Sequence, residues 1–130
     1  MWTANDLVRY IFGFSRSNIS PLVISVEIAY DLMFHQGKSR NDIKMMRDIY
    51  QQAADELRMK SGKTAARRIE RLCNRCWDRI QEDEELLKRL VGSHTKELDA
   101  SSEVIFLLAC YIKYEKPFRE VLEHRAALTF

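Results

Sequence analysis

Residues Thr64 to Ile80 read T-A-A-R-R-I-E-R-L-C-N-R-C-W-D-R-I. Ile69, Leu72, Cys73, Cys76, Trp77 and Ile80 recur at helical spacing and make one apolar stripe. Arg67, Arg71, Asn74, Arg75 and Asp78 fall on the opposite side, with Arg68 at its edge and Glu70 on the flank. The stretch predicts a helix that buries one face in a helical core and shows the other to solvent. The outer face carries residue types that read DNA base edges in a major groove: Arg for guanine, Asn for adenine, Glu for the amino group of cytosine. Any solvated surface helix also shows a charged outer face, so the rest of the chain has to weigh between the two.

Upstream, Ile43, Met46, Ile49, Tyr50, Ala53, Ala54 and Leu57 hold a helical period to about Arg58, opened by Ser39 or Asn41. Met59-Lys60-Ser61-Gly62-Lys63 then reads as a turn containing a glycine, and Thr64 as the cap that restarts a helix. Two helices joined by a short glycine turn, the second amphipathic and basic, form a candidate helix-turn-helix. Helix pairs are common in every all-α protein, so the turn alone adds little.

The same signals divide the remainder. Thr3 caps a first helix that Gly13 ends near Phe12; Ser20 caps a second, with Pro21 as its first helical residue, running through Leu22, Val23, Val26, Ile28, Ala29, Leu32 and Met33 to Gly37. That run is rich in β-branched residues but lacks strand alternation. Glu82-Asp83-Glu84-Glu85 opens a short helix through Leu86, Leu87, Leu90 and Val91, ended by Gly92. Residues 93–101 read as a polar loop. Ser101 or Ser102 caps a strongly apolar core helix, Glu103–Tyr114, and Pro117 starts a last helix to about Ala127. No internal repeat, low-complexity segment or domain boundary shows.

Composition agrees: 46% of the 130 residues are hydrophobic, with only 4 Gly and 2 Pro, which suits a mostly helical globule. Net charge is only +2, so a basic surface has to come from local clustering, as between residues 58 and 79. Met1-Trp2-Thr3-Ala4-Asn5-Asp6 has no basic start or long apolar run, and apolar stretches such as Val104–Ile112 are too short to span a membrane. The expected place is a reducing cytoplasm. The three cysteines, Cys73, Cys76 and Cys110, are then reduced and act as small buried hydrophobes.

Other chemistry finds little support. Gly62-Lys63-Thr64 echoes the end of a phosphate-binding loop, but Leu57 stands where its first glycine belongs and no strand precedes it. Cys73-Asn74-Arg75-Cys76 has the spacing of half a zinc site, with no second pair; His94 and Cys110 would join it only by chance of folding. His35, His94 and His124 are isolated. Glu82–Glu85 reads as a solvated helix start. No catalytic pattern, cofactor or metal is expected. Trp2, Phe12, Phe14 and Phe130 read as core residues before contact residues.

Ala66–Arg71, A-R-R-I-E-R, followed by Trp77 on the same helix, resembles the recognition-helix core of the C-terminal DNA-binding domain of stage-zero sporulation protein A, the sporulation master regulator of endospore-forming bacteria. Ile49-Tyr50, Ala54 and Leu57 resemble its scaffold helix, Leu90-Val91-Gly92 its leucine-aromatic-glycine turn, and Ser102-Glu103-Val104-Ile105 its S-E-F-I helix start. Leu7–Gly13 and Leu22–Met33 resemble its first two helices in order and spacing. The resemblance runs from about residue 5 to 115 of a single domain, 1–130, and leaves 116–130 as an extra C-terminal helix.

The resemblance implies an all-α, compact bundle of about six to seven helices containing a helix-turn-helix. It puts Glu70 and Arg71 on base-reading positions and Arg68 on the family's motif arginine. Asn74 stands where the family has an arginine and Arg75 where it has a histidine, so a different target site is expected. The segment between the two helices is also longer, and 130 residues are expected to leave no room for the phospho-receiver domain that precedes this one in the family. The expectation is a transcriptional regulator that contacts double-stranded promoter DNA through Lys63, Thr64, Arg67, Arg68, Glu70, Arg71, Asn74 and Arg75. The alternative is a protein-interaction module that forms a homodimer, for instance through helix 117–127, or binds a regulator partner without reading DNA.

Overall fold

The structure, a computed structural model, describes residues 1–92 and 100–127, with side chains as far as Glu123. Residues 93–99 of the expected polar loop, with His94, lie outside the described residues, as do the His124 side chain and Phe130. The described residues form seven helices and no strand, as the sequence predicts. They are α1 (Ala4–Phe12), α2 (Ser20–Tyr30), α3 (Gln51–Leu57), α4 (Gly62–Glu82), α5 (Glu84–Leu86), α6 (Val104–Tyr114) and α7 (Phe118–Ala127). Wider π-type turns extend α2 over Asp31–His35, lead into α3 over Met45–Tyr50 and extend α5 over Leu87–Val91.

The bundle is built around α6. Every side chain from Val104 to Tyr111 is buried, so this helix is covered on all sides. α2 is its main neighbour and buries Pro21, Leu22, Val23, Ser25, Val26 and Ala29. Burial on several faces explains the β-branched run that the sequence left open to a strand reading. Ser25, the one fully buried polar side chain among the described residues, donates its hydroxyl to the Pro21 carbonyl at 2.7 Å. α1 and α4 pack against the same core, which is continuous from Ala4 to Val121.

Several caps are as expected. Thr3 Oγ1 accepts from the Asp6 amide at 3.0 Å, Gly13 closes α1 at φ +62°, and Gly92 ends the Leu87–Val91 turn at φ +119°; within the acidic helix start Glu82–Glu85 it is Asp83 that caps, its Oδ1 accepting from the amides of Glu85 and Leu86. Others differ. Ser20 lies inside α2; Ile19 holds the cap position, and Asn18 Oδ1 takes the Ser20 amide at 3.1 Å. Neither Ser101 nor Ser102 caps by its side chain; Ser101–Glu103 forms a 3₁₀ turn ahead of α6. Ser39 starts only a 3₁₀ turn, Arg40–Asp42, and the scaffold helix begins after Lys44.

The turn before α4 also differs from its expected form. Ser61, not Thr64, is the cap: its Oγ accepts from the Thr64 amide at 3.2 Å. Both residues are capping types, and the first one to meet the free amides takes the role, so the helix starts three residues early. The left-handed residue that closes α3 is Arg58, at φ 55°, where a glycine is usual. Gly62 sits within α4 instead. A Cβ there would stand 2.8 Å from Gln51 Oε1 and 3.0 Å from Met46 Sδ, so the glycine marks close approach of the two helices and not the bend.

Two polar contacts fix the scaffold. Arg40 grips Glu103 with Nε at 3.1 and 3.2 Å and Nη2 at 2.6 Å, gives Nη1 to the Ile43 carbonyl, and lies 4.2 Å over the Phe106 ring. This half-buried fork ties the 3₁₀ turn to the start of α6. A double-mutant cycle of Arg40→Met and Glu103→Gln, followed by urea unfolding, is expected to give a coupling of about 1.5–3 kcal/mol. Coupling near zero would show the fork to be idle.

Asp48 accepts from the Lys44 amide at 2.8 Å and from Arg47 Nε at 2.8 Å. The bond from Arg47, then that from Lys44, holds its carboxyl at about 2, below the ordinary 3.8. The folded value is the lower one, so its stabilisation is complete above about pH 4 and is lost as pH falls towards 2. The stability gap between the native chain and Asp48→Asn should therefore close over that window in denaturant titrations.

Candidate nucleic-acid interface

The apolar stripe of α4 is buried throughout: Ala65, Ala66, Ile69, Leu72, Cys73, Cys76, Trp77 and Ile80 all face the core. Lys63, Arg67, Arg68, Glu70, Arg71, Asn74, Arg75 and Asp78 are exposed, and Thr64 is half-buried beside Ser61. The structure thus brings all eight expected contact residues onto the accessible side of one helix.

Helical spacing puts Arg67, Arg71, Asn74 and Asp78 in the outermost row. The two flanks differ in their neighbours. Glu70 lies on the side of Tyr50, where burial first, and then the Glu70 charge, push the tyrosine hydroxyl upward. Lys63 is two turns before Glu70 on the same side.

The opposite flank meets the end of α1 and the loop between α1 and α2. Arg79 Nε donates to the Ile11 carbonyl at 2.9 Å, placing a cation at the negative end of α1. Arg75 Nη2 donates to Ser15 Oγ at 3.3 Å, with its guanidinium 5.6 Å from the Phe12 ring. Arg68, Arg71 and Arg75 join Ser17, Asn18, Pro21 and Leu72 around a pocket of about 320 Å³.

Charge is therefore partly segregated, with Glu70 and Asp78 as carboxylates on the exposed face of α4. Among the described residues, Lys63, Arg67, Arg68, Arg71 and Arg75 form no ion pair with a carboxylate. Glu27, Asp31, Asp48 and Glu56 instead line a separate groove between α2 and α3. The net charge of +2 conceals both surfaces.

Sequence reading missed the α1–α2 loop. Ser17 and Asn18 carry no periodicity, and only their place after Gly13 hints at a turn. Phe14 departs from its expected core role: it is fully exposed, because Gly13 at positive φ turns the chain outward after the buried Phe12. Trp2 is half-buried, with its ring 5.2 Å from Tyr10 and 5.6 Å from the Arg89 guanidinium.

The three cysteines are buried thiols, as expected. Burial pushes the Cys76 thiol up to about 12 and, with Cys76 nearby, raises Cys73 further. Neither supplies thiolate at neutral pH. No group of three metal-ligating side chains occurs among the described residues, and no helix there is long and apolar enough to cross a membrane. Ellman's reagent should leave the native cysteines unmodified over minutes and titrate three thiols in denaturant; fast native reaction of even one would contradict their burial. No protein-family model, curated protein or solved structure matches the chain.

Proposed function

We propose that the chain is a sequence-specific DNA-binding transcriptional regulator of the sporulation-regulator type, acting at the bacterial nucleoid. In this reading α3 and α4 form the helix-turn-helix, and α4 enters the major groove. The observation that carries it is the row of arginines without carboxylate partners, Arg67 and Arg71 with Asn74 between turns, on a helix whose other face is locked into the core. Uncompensated like charges on one rigid face are stabilised by an anionic partner, and the mixture of Arg, Asn and Glu suits base edges better than a plain lysine patch would.

Arg71 and Glu70 read bases, and Lys63, near the start of α4, meets the backbone. On a site selected from a promoter library, Arg71→Ala is expected to cost about 1–3 kcal/mol. Its effect on random duplex should be smaller. Lys63→Ala should weaken all duplexes alike and reduce the salt slope by about 1. Equal losses on selected and random DNA for Arg71→Ala would sink base reading.

A second reading, a module that binds a regulator protein, is favoured by one observation. Phe14 stands fully exposed next to Ser15, whose hydroxyl accepts from Arg75, and so offers an apolar contact beside the arginine face. It predicts association that survives loss of Arg67 and Arg71 but not Phe14→Ser. On α7, Val121 is turned into the core and Phe118 is half-buried against it, while Leu122 is exposed.

A further inference from the structure

We infer that the pocket between α4 and the α1–α2 loop is a phosphate site. This deepens the proposed function by assigning Arg68 and Arg75 to phosphate rather than to bases, and by adding Ser17 and Asn18 to the interface. Three arginines, Arg68, Arg71 and Arg75, line one concavity together with Pro21 and Leu72. None has a carboxylate partner among the described residues. Gathering three such cations is unfavourable unless an anion joins them.

The loop groups have the same polarity. Asn18 Oδ1 is already occupied by the Ser20 amide, which leaves its Nδ2 hydrogens to donate. Ser17 Oγ accepts from Ser15 Oγ at 3.0 Å, which leaves the Ser17 hydroxyl hydrogen to donate. Arg75 is held in place by its bond to the same Ser15 Oγ. The pocket lining thus offers donors from the three arginines, the Asn18 amide and the Ser17 hydroxyl, and it contains no carboxylate. Phosphate oxygens only accept, and guanidinium forks match them in pairs.

The amides at the start of α2 are not part of this site. The Ser20 amide goes to Asn18, Pro21 has none, and the amides of Leu22 and Val23 go to the Ile19 carbonyl. Side chains, not a helix terminus, would do the binding.

A phosphodiester of the DNA backbone and a free phosphate ester share this chemistry, and titration distinguishes them. Amide chemical shifts of the whole chain are followed while inorganic phosphate replaces chloride at constant ionic strength. Residues 17 and 18 are expected to shift saturably with a Kd of about millimolar. Asn18→Asp keeps the oxygen that receives the Ser20 amide but replaces the donor with a carboxylate. It should weaken phosphate at least about tenfold, with Arg68→Gln acting in the same direction.

If both variants also weaken random duplex, the DNA backbone is the occupant. If they weaken phosphate but leave duplex binding unchanged, a free phosphate ester is the occupant. Saturable phosphate binding in a chain that binds no duplex would overturn the DNA reading and keep the pocket. Shifts at 17 and 18 no larger than chloride produces, or unchanged in Asn18→Asp, would overturn the pocket whatever duplex binding shows.

Discussion

Complete burial of α6 is the constraint on which the rest depends. A helix whose side chains from Val104 to Tyr111 are all buried has no face to give to water. Each of its large side chains contributes on the order of 1.5–3 kcal/mol when removed from solvent. α1, α2, α4 and α7 pack against it, joined by the Leu87–Val91 turn. α4 covers its share through the Ile69–Ile80 stripe, which fixes its rotation about its own axis. The arginines are therefore presented in one direction by packing, with no freedom to roll inward.

The same rotation divides the cations by task. Arg79 is used internally, at the Ile11 carbonyl, and Arg40 internally, at Glu103. Arg67, Arg68 and Arg71 have no such use. In a chain with 21 basic and 19 acidic residues, the arginines of this face have no ion pair among the described residues, while four carboxylates, Glu27, Asp31, Asp48 and Glu56, line a separate groove. Opposite fields on separate surfaces orient an approaching polyanion more strongly than a uniform charge of +2 would.

Features set by local periodicity were legible in the sequence. The α4 stripe, the Thr3 cap, the acidic helix start at Glu82–Glu85, and the stops at Gly13 and Gly92 each depend on residues within a few positions of one another. What was not legible depends on which partner arrives. Ser61 and Thr64 are both sound caps, and the chain has no local signal to choose between them. Gly62 reads as a turn residue until Met46 and Gln51 are seen against it. The Arg40–Glu103 fork spans 63 positions and leaves no period at all. The candidate site was half legible for the same reason. Its helix was read residue by residue, while Ser17 and Asn18 become visible only once α2 docks beside α4.

That docking bears on how a helix of this kind would find its register. Base contacts discriminate between sequences but do not fix where a helix sits along the duplex; phosphate contacts do that. A helix gripping the backbone only through its own side chains can slide or tilt along its axis. Arg68 and Arg75 face a loop anchored by α1 through Ser15 and by α2 through Asn18. A phosphate held there would be fixed relative to two helices beyond the reading helix. With that point pinned, Arg67, Glu70, Arg71 and Asn74 would meet the base edges at a set height. Substitutions at Asn74 or Arg75 would then differ in kind: the first would change which sequence is read, and the second how firmly any sequence is held.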